Sequence, residues 1–141
     1  MSVNIEFVKK LVDDIEESVR IIRSYVSKPY EELSDAERYA IRYHLIVIAE
    51  ALIALALHIV RREFGVRPDT PMHALRVLRE KGLVGNEEVR DAINVIKLRN
   101  LLVHRYWVVD DRRIYENAVK DFRNILSLVR KVLSYVSGRE V

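Results

Sequence analysis

Hydrophobic residues recur every three or four positions along most of the chain, a period that writes out a series of amphipathic helices. Between Ser2 and Ser27, the residues Val8, Leu11, Val12, Ile15, Val19, Ile22 and Val26 form one apolar stripe. Asp13, Asp14, Glu16, Glu17, Arg20 and Arg23 take the opposite face. Ser2 is the expected N-cap. Lys28-Pro29 stops the helix, because the residue before a proline avoids helical dihedrals.

Ser34-Asp35-Ala36-Glu37 has the form of a capping box, in which serine and glutamate satisfy each other's backbone N–H groups. The helix it opens should run to about Phe64, with Gly65 as its stop. That is about 30 residues, or roughly 45 Å. Its middle, Leu45 to Val60, is apolar almost all round, interrupted only by Glu50 and His58. The run is too short and too interrupted for a membrane span, which takes about 20 apolar residues. A helix apolar on every side needs more cover than one thin bundle offers. A second copy of the chain is the simplest source, so a homodimer with this helix near its centre is expected.

Thr70 caps a short helix with Pro71 in its first turn, where a missing N–H costs nothing. Met72, Leu75, Val77 and Leu78 give it an apolar side, and Lys81-Gly82 closes it. Asn86 caps a fourth helix, with Glu87 and Glu88 at its positive end. Val89, Ala92, Ile93 and Ile96 form that helix's inner stripe. Tyr106 to Val109 has the composition of a strand but no partner strand elsewhere, so it reads as an extended link. Asp110 or Asp111 then caps a last helix reaching about Ser137, in which Ile114, Ala118, Phe122, Ile125, Val129, Val132 and Val136 keep the helical period throughout. The expected fold is all-α. One domain, residues 1–141, forms an antiparallel bundle of four longer helices and one short one, dimeric.

Composition narrows the class. About a third of the residues are charged and half are apolar, as in a globular chain. The net charge of +3 permits contact with a phosphate backbone without demanding it. With no cysteine there are no disulfides and no thiolate metal sites. Glutamine is absent while Arg, Glu, Lys and Val are plentiful, the bias of thermophile chains. No basic segment followed by an apolar run opens the sequence, so a cytoplasmic location is expected.

The chemistry concentrates in Arg99-Asn100-Leu101-Leu102-Val103-His104-Arg105-Tyr106, at the end of the fourth helix. On a straight helix Asn100 and His104 share a face, as do Arg99 and Tyr106, whereas Arg99 and His104 diverge by about 140°. Either the helix ends within the motif or a second chain completes the site. Arg99 offers a permanently charged planar fork that matches a phosphate. His104 can move a proton near neutral pH. Together they suit cleavage of RNA without a metal. His104 would act on the ribose 2′-hydroxyl or the leaving oxygen, and Arg99 would stabilise charge on the phosphate. Asn100 would orient the phosphate or the imidazole, and Tyr106 would add a hydrogen bond. The same cations also suit a plain helix C-terminus, where they meet the dipole favourably.

The stretch resembles the R-x(4–6)-H motif of the HEPN superfamily. More narrowly, Arg99, His104 and Tyr106 match the R-x4-H-x-Y form of the HepT-like toxins, with Asn100 after the arginine and an aromatic link and acidic cap, Trp107 to Asp111, leading into the last helix. The resemblance extends over nearly the whole chain and departs at Leu98, where the pattern has an aromatic. It implies a homodimer with two motifs facing a shared cleft, and an endoribonuclease toxin of a type VII-like toxin–antitoxin pair that arrests growth. It implies no cofactor. It also implies an antitoxin partner, a minimal nucleotidyltransferase that transfers AMP to the motif tyrosine, here Tyr106. The alternative is a non-catalytic helical module that binds a nucleotide or docks a nucleotidyltransferase.

Other residues are assigned more plainly. Glu50 is either an interface residue or part of the cleft near His104. His44, His58 and His73 lack metal-ligand spacing, so no metal site is expected. Arg61, Arg62, Arg67, Arg105, Arg112 and Arg113 form either a basic rim for RNA or solvated helix ends. Tyr39 and Tyr43, four apart on one face, are expected to pack.

Overall fold

The computed structural model describes residues 2–138, and among these every regular element is helical. Helix α1 spans Ile5–Val26. Its cap is Asn4, not Ser2: the Asn4 Oδ1 accepts from the Phe7 N–H at 3.1 Å. Val8, Leu11, Val12, Ile15, Val19 and Ile22 are buried, as the stripe requires. A 3₁₀ turn at Tyr30–Glu32 leads to α2, Asp35–Phe64. The capping box forms as expected, with Ser34 Oγ accepting from Glu37 N–H at 3.1 Å and Glu37 Oε1 accepting from Ser34 N–H at 3.0 Å. Gly65 ends the helix at φ 65°, a left-handed conformation in which a side chain would be strained.

Helix α2 is the centre of the fold and packs against α1, α3 (Pro71–Glu80) and α4 (Asn86–His104). By length and composition it does reach the dimensions of a membrane span, contrary to the reading from its interruptions. In the fold, half of its most apolar 18-residue window is buried inside the chain. Ile48, Leu52, Leu55 and Ile59 face the core, whereas Ile46, Val47, Ile53, Ala54 and Leu57 are only partly covered. One chain therefore covers most of this helix, and what is left over is a strip. Tyr39 and Tyr43 extend the strip and stand 63% and 61% exposed, so they do not pack into the core.

Thr70 caps α3 through His73 N–H, at 3.0 Å. Helix α4 starts from Gly85 with Asn86 as its first residue, and the missing cap side chain is replaced from within. Glu88 Oε1 accepts from Gly85 N–H at 2.7 Å. The buried Glu88 also accepts from Ser127 Oγ and from Lys131 Nζ, which ties α4 to the last helix.

The last helix is two helices, α5 (Asp111–Lys120) and α6 (Arg123–Ser137), so the described residues hold six helices in place of five. Asp121 has extended backbone, and its Oδ1 accepts from Arg123 N–H at 2.6 Å. An aspartate bonded to the backbone two residues on competes directly with the helical ladder. Both segments still face the core, with Ile114, Ala118, Phe122, Ile125, Val129, Val132 and Val136 all buried. The stripe passes unbroken through a break in the helix.

Three histidines are placed by single hydrogen bonds: Ser18 Oγ with His44 Nδ1 at 3.0 Å, Asn4 N–H to His58 Nε2 at 2.9 Å, and Asp69 N–H to His73 Nδ1 at 3.2 Å. Burial holds His44 and His58 below the usual 6.5, and the charge of Arg62 adds to this at His58. A lowered value means that the fold prefers the neutral ring. This stabilisation is complete above pH 6.5 and is lost as pH falls below it towards the folded-state values. The melting temperature is therefore expected to be lower at pH 5 than at pH 7.5. The gap should narrow in His58→Gln, where an amide oxygen can accept the Asn4 N–H at both pH values. Equal gaps in the two proteins would dismiss His58 as the source.

Candidate functional site

Helix α4 delivers the motif. It stays helical through His104, where Arg105 N–H still bonds to Leu101 O at 2.8 Å, and then stops as Arg105 takes a ψ of 46°. Both Arg99 and His104 thus lie on regular helix, and their divergence of about 140° around the axis stands. Residues 106–109 are not an extended link. Tyr106–Val108 form a 3₁₀ turn in which Val108 N–H bonds to Arg105 O at 3.0 Å and Val109 N–H to Tyr106 O at 3.3 Å. With no strand to pair with, the segment satisfies its backbone locally. The turn also removes Tyr106 from the helical register, so the shared face with Arg99 does not hold.

Arg99 is the most constrained of the motif side chains. Its Nε donates to Glu50 Oε1 across the α2–α4 interface, and its Nη1 donates to Asn100 Oδ1 at 3.0 Å. The Arg99 side chain is 25% exposed and that of Glu50 51%. Glu50 and Asn100 each take one nitrogen of the guanidinium, and Nη2, with no partner among the described residues, is the one left to meet an anion. His104 and Tyr106 are exposed and make no side-chain hydrogen bond among the described residues. The Tyr106 ring stands nearly perpendicular to Trp107, with centroids 5.5 Å apart. The structure therefore joins Glu50, Arg99 and Asn100, and leaves His104 and Tyr106 free at the helix end.

Glu50 was legible in the sequence as a lone carboxylate in an apolar run, but its partner was not. Arg42 gave no sequence signal, yet it reaches the last residue of the motif and two groups beyond it: Tyr106 O at 3.1 Å, Val109 O at 3.0 Å and Asp111 Oδ1 at 2.6 Å. The basic rim does not form as one surface. Arg61, Arg62 and Arg67 line a hollow at the end of α2, beginning about 16 Å along the helix from Glu50. Arg112 is held by Glu31 and lies over the Tyr30 ring at 4.7 Å. Among the described residues no three His, Asp or Glu side chains are grouped to hold a metal ion.

The model of the HepT-like ribonuclease family matches residues 15–132, which takes in α2, Glu50 and the entire motif. The chain belongs to the HepT-like ribonuclease family. No curated protein matches the sequence. Solved structures show the same fold at low identity. The tri-AMPylated HEPN toxin of Shewanella oneidensis, in complex with an MNT antitoxin, superposes with a TM-score of 0.81 at 15% identity, covering 89% of this chain and 96% of that one. A toxin–antitoxin structure with AMP-PNP gives 0.79 at 14% identity, covering 89% and 97%. YutE of Bacillus subtilis, a cytosolic protein of unknown function, gives 0.85 at 14% identity, covering 99% and 95%. The HepT-like fold is thus shared with HEPN toxins solved beside MNT antitoxins, and in this HepT-like chain it presents Arg99 and His104 at the exposed end of α4.

Proposed function

We propose that this HepT-like protein is a metal-independent endoribonuclease, the toxin of a type VII-like toxin–antitoxin pair. The observation that carries the reading is Arg99, pinned by Glu50 and Asn100 with its Nη2 left over, on the helix that ends in an unpaired His104. His104 takes the proton from a ribose 2′-hydroxyl or supplies one to the leaving oxygen. The 2′-oxygen attacks phosphorus, the bond from phosphorus to the 5′-oxygen breaks, and a cyclic phosphate and a 5′-hydroxyl result. Arg99 stabilises the negative charge that gathers on the non-bridging oxygens. Asn100 and Tyr106 support the phosphate and the ring.

The angle between Arg99 and His104 favours a site shared by two copies. The partly covered strip on α2, Tyr39, Tyr43, Val47, Ala54 and Leu57, runs past Glu50 and gives a second copy an apolar surface beside the motif. Light scattering at micromolar concentration is expected to give the mass of two chains; the mass of one chain would remove this part of the reading.

Neutralisation follows from Tyr106. Its hydroxyl attacks the α-phosphorus of ATP held by a minimal nucleotidyltransferase, pyrophosphate leaves, and AMP stays on the phenol. The added phosphate is negatively charged and bulky, and in a cleft shared by two copies it obstructs the approach of RNA to the motif. The AMPylated state of the Shewanella oneidensis toxin supports this. The direct test is incubation of purified protein with RNA in EDTA: cleavage supports the nuclease, and nucleotide binding with no cleavage supports the non-catalytic module.

A further inference from the structure

We propose that Arg42 is a positioning residue for the motif, a role that rests on reading the motif as a nuclease site. Its guanidinium clamps the Tyr106–Val109 segment to α2, which fixes Tyr106 and keeps the last turn of α4, with His104 at its end, from fraying.

The segment needs such a clamp. Tyr106, Trp107 and Val108 are 62%, 67% and 47% exposed, and the turn contributes no buried residue. Apolar burial, the usual anchor of a connection, reaches only its last residue, the half-buried Val109, and leaves the turn itself unheld. Arg42 supplies the anchor from the neighbouring helix. Its Nη1 donates to Tyr106 O at the start of the turn, its Nη2 to Val109 O at the end, and its Nε to Asp111 Oδ1 on the first residue of α5. The Arg42 and Asp111 side chains are 17% and 24% exposed, so the pair is shielded in a way that ordinary surface pairs are not. One planar fork thus fixes three points over six residues.

Arg42 and Glu50 stand on the same helix, about 12 Å apart along its axis. Glu50 holds Arg99 and Arg42 holds the turn. Helix α2 therefore references both halves of the motif to one rigid element. Lysine cannot replace the clamp, because a single ammonium cannot reach three acceptors in the geometry of a guanidinium.

The test compares the full-length wild type with Arg42→Lys and Arg42→Ala. Trp107 is the single tryptophan of the chain, so its anisotropy decay reports the turn directly. Amide exchange at Val108 and Val109 reports the same segment, and neither measurement needs activity. Both variants are expected to show faster Trp107 motion and exchange raised about tenfold at these two amides. RNA cleavage should lose about ten- to a hundredfold in kcat with KM nearly unchanged, since misplacement by about 1 Å is enough for such a loss. Arg42→Lys should fail to rescue. Should Arg42→Ala not fold, Asp111→Asn weakens the same clamp and should give the same changes in smaller measure. Unchanged Trp107 motion and exchange in a folded variant overturns the proposal, and so does a loosened turn with unchanged kcat. A wild type that cleaves no RNA removes the nuclease reading, while the fluorescence and exchange still decide whether Arg42 holds the turn.

Discussion

Replacing Arg99 with alanine is expected to lower RNA cleavage in EDTA by a factor on the order of 10³, with the protein still folded. The size follows from the role. A preorganised cation facing the developing phosphate charge contributes in the transition state far more than in the ground state, and losing one such donor costs roughly 10²- to 10³-fold. Alanine also leaves Glu50 without its guanidinium, so a carboxylate then faces the incoming phosphate and adds repulsion. Arg99→Lys should rescue poorly, because an ammonium cannot bond to Glu50 and Asn100 and still offer an ordered edge to phosphate. His104→Ala should lose about 10²- to 10⁴-fold, the usual range for a general acid or base. Cleavage of labelled RNA by the three variants, with helicity and melting checked in parallel, decides the matter. Full activity in Arg99→Ala or His104→Ala would remove that residue from the chemistry.

Tyr106→Phe is expected to separate toxicity from control. The substitution removes one oxygen and leaves the turn as it is, because Arg42 bonds to the Tyr106 backbone carbonyl and not to its ring. Cleavage then loses at most the one supporting hydrogen bond of the phenol and should stay within about tenfold of the wild type. With the nucleotidyltransferase and ATP present, the wild type should take up labelled AMP and fall silent, whereas Tyr106→Phe should take up none and stay active. The exposure of Tyr106, at 62%, fits a hydroxyl that another enzyme must reach. Equal silencing of the two proteins would show that the partner acts without modifying this tyrosine.

The helices and the motif were legible in the sequence because their signals are local. A buried stripe repeats every three or four residues wherever it occurs, and the capping residues Ser34, Glu37 and Thr70 act within one turn of themselves. Local signals failed where two of them competed. The stripe through Ala118, Phe122 and Ile125 is the same with or without a break, and Asp121 made the break by capturing the Arg123 N–H. At the N-terminus, Asn4 took the cap expected of Ser2.

By itself, then, the sequence determined an all-helical chain and the side chains that the motif presents, because helical period, capping and residue chemistry are properties of neighbours along the chain. Only the tertiary structure decided that Glu50 meets Arg99 and that Arg42 meets Tyr106, Val109 and Asp111. Those contacts join residues 49, 64, 67 and 69 positions apart. They exist because α2 packs against α4 and the turn that follows, and pairing at that separation depends on helix packing, on which the spacing of residues along the chain carries no information.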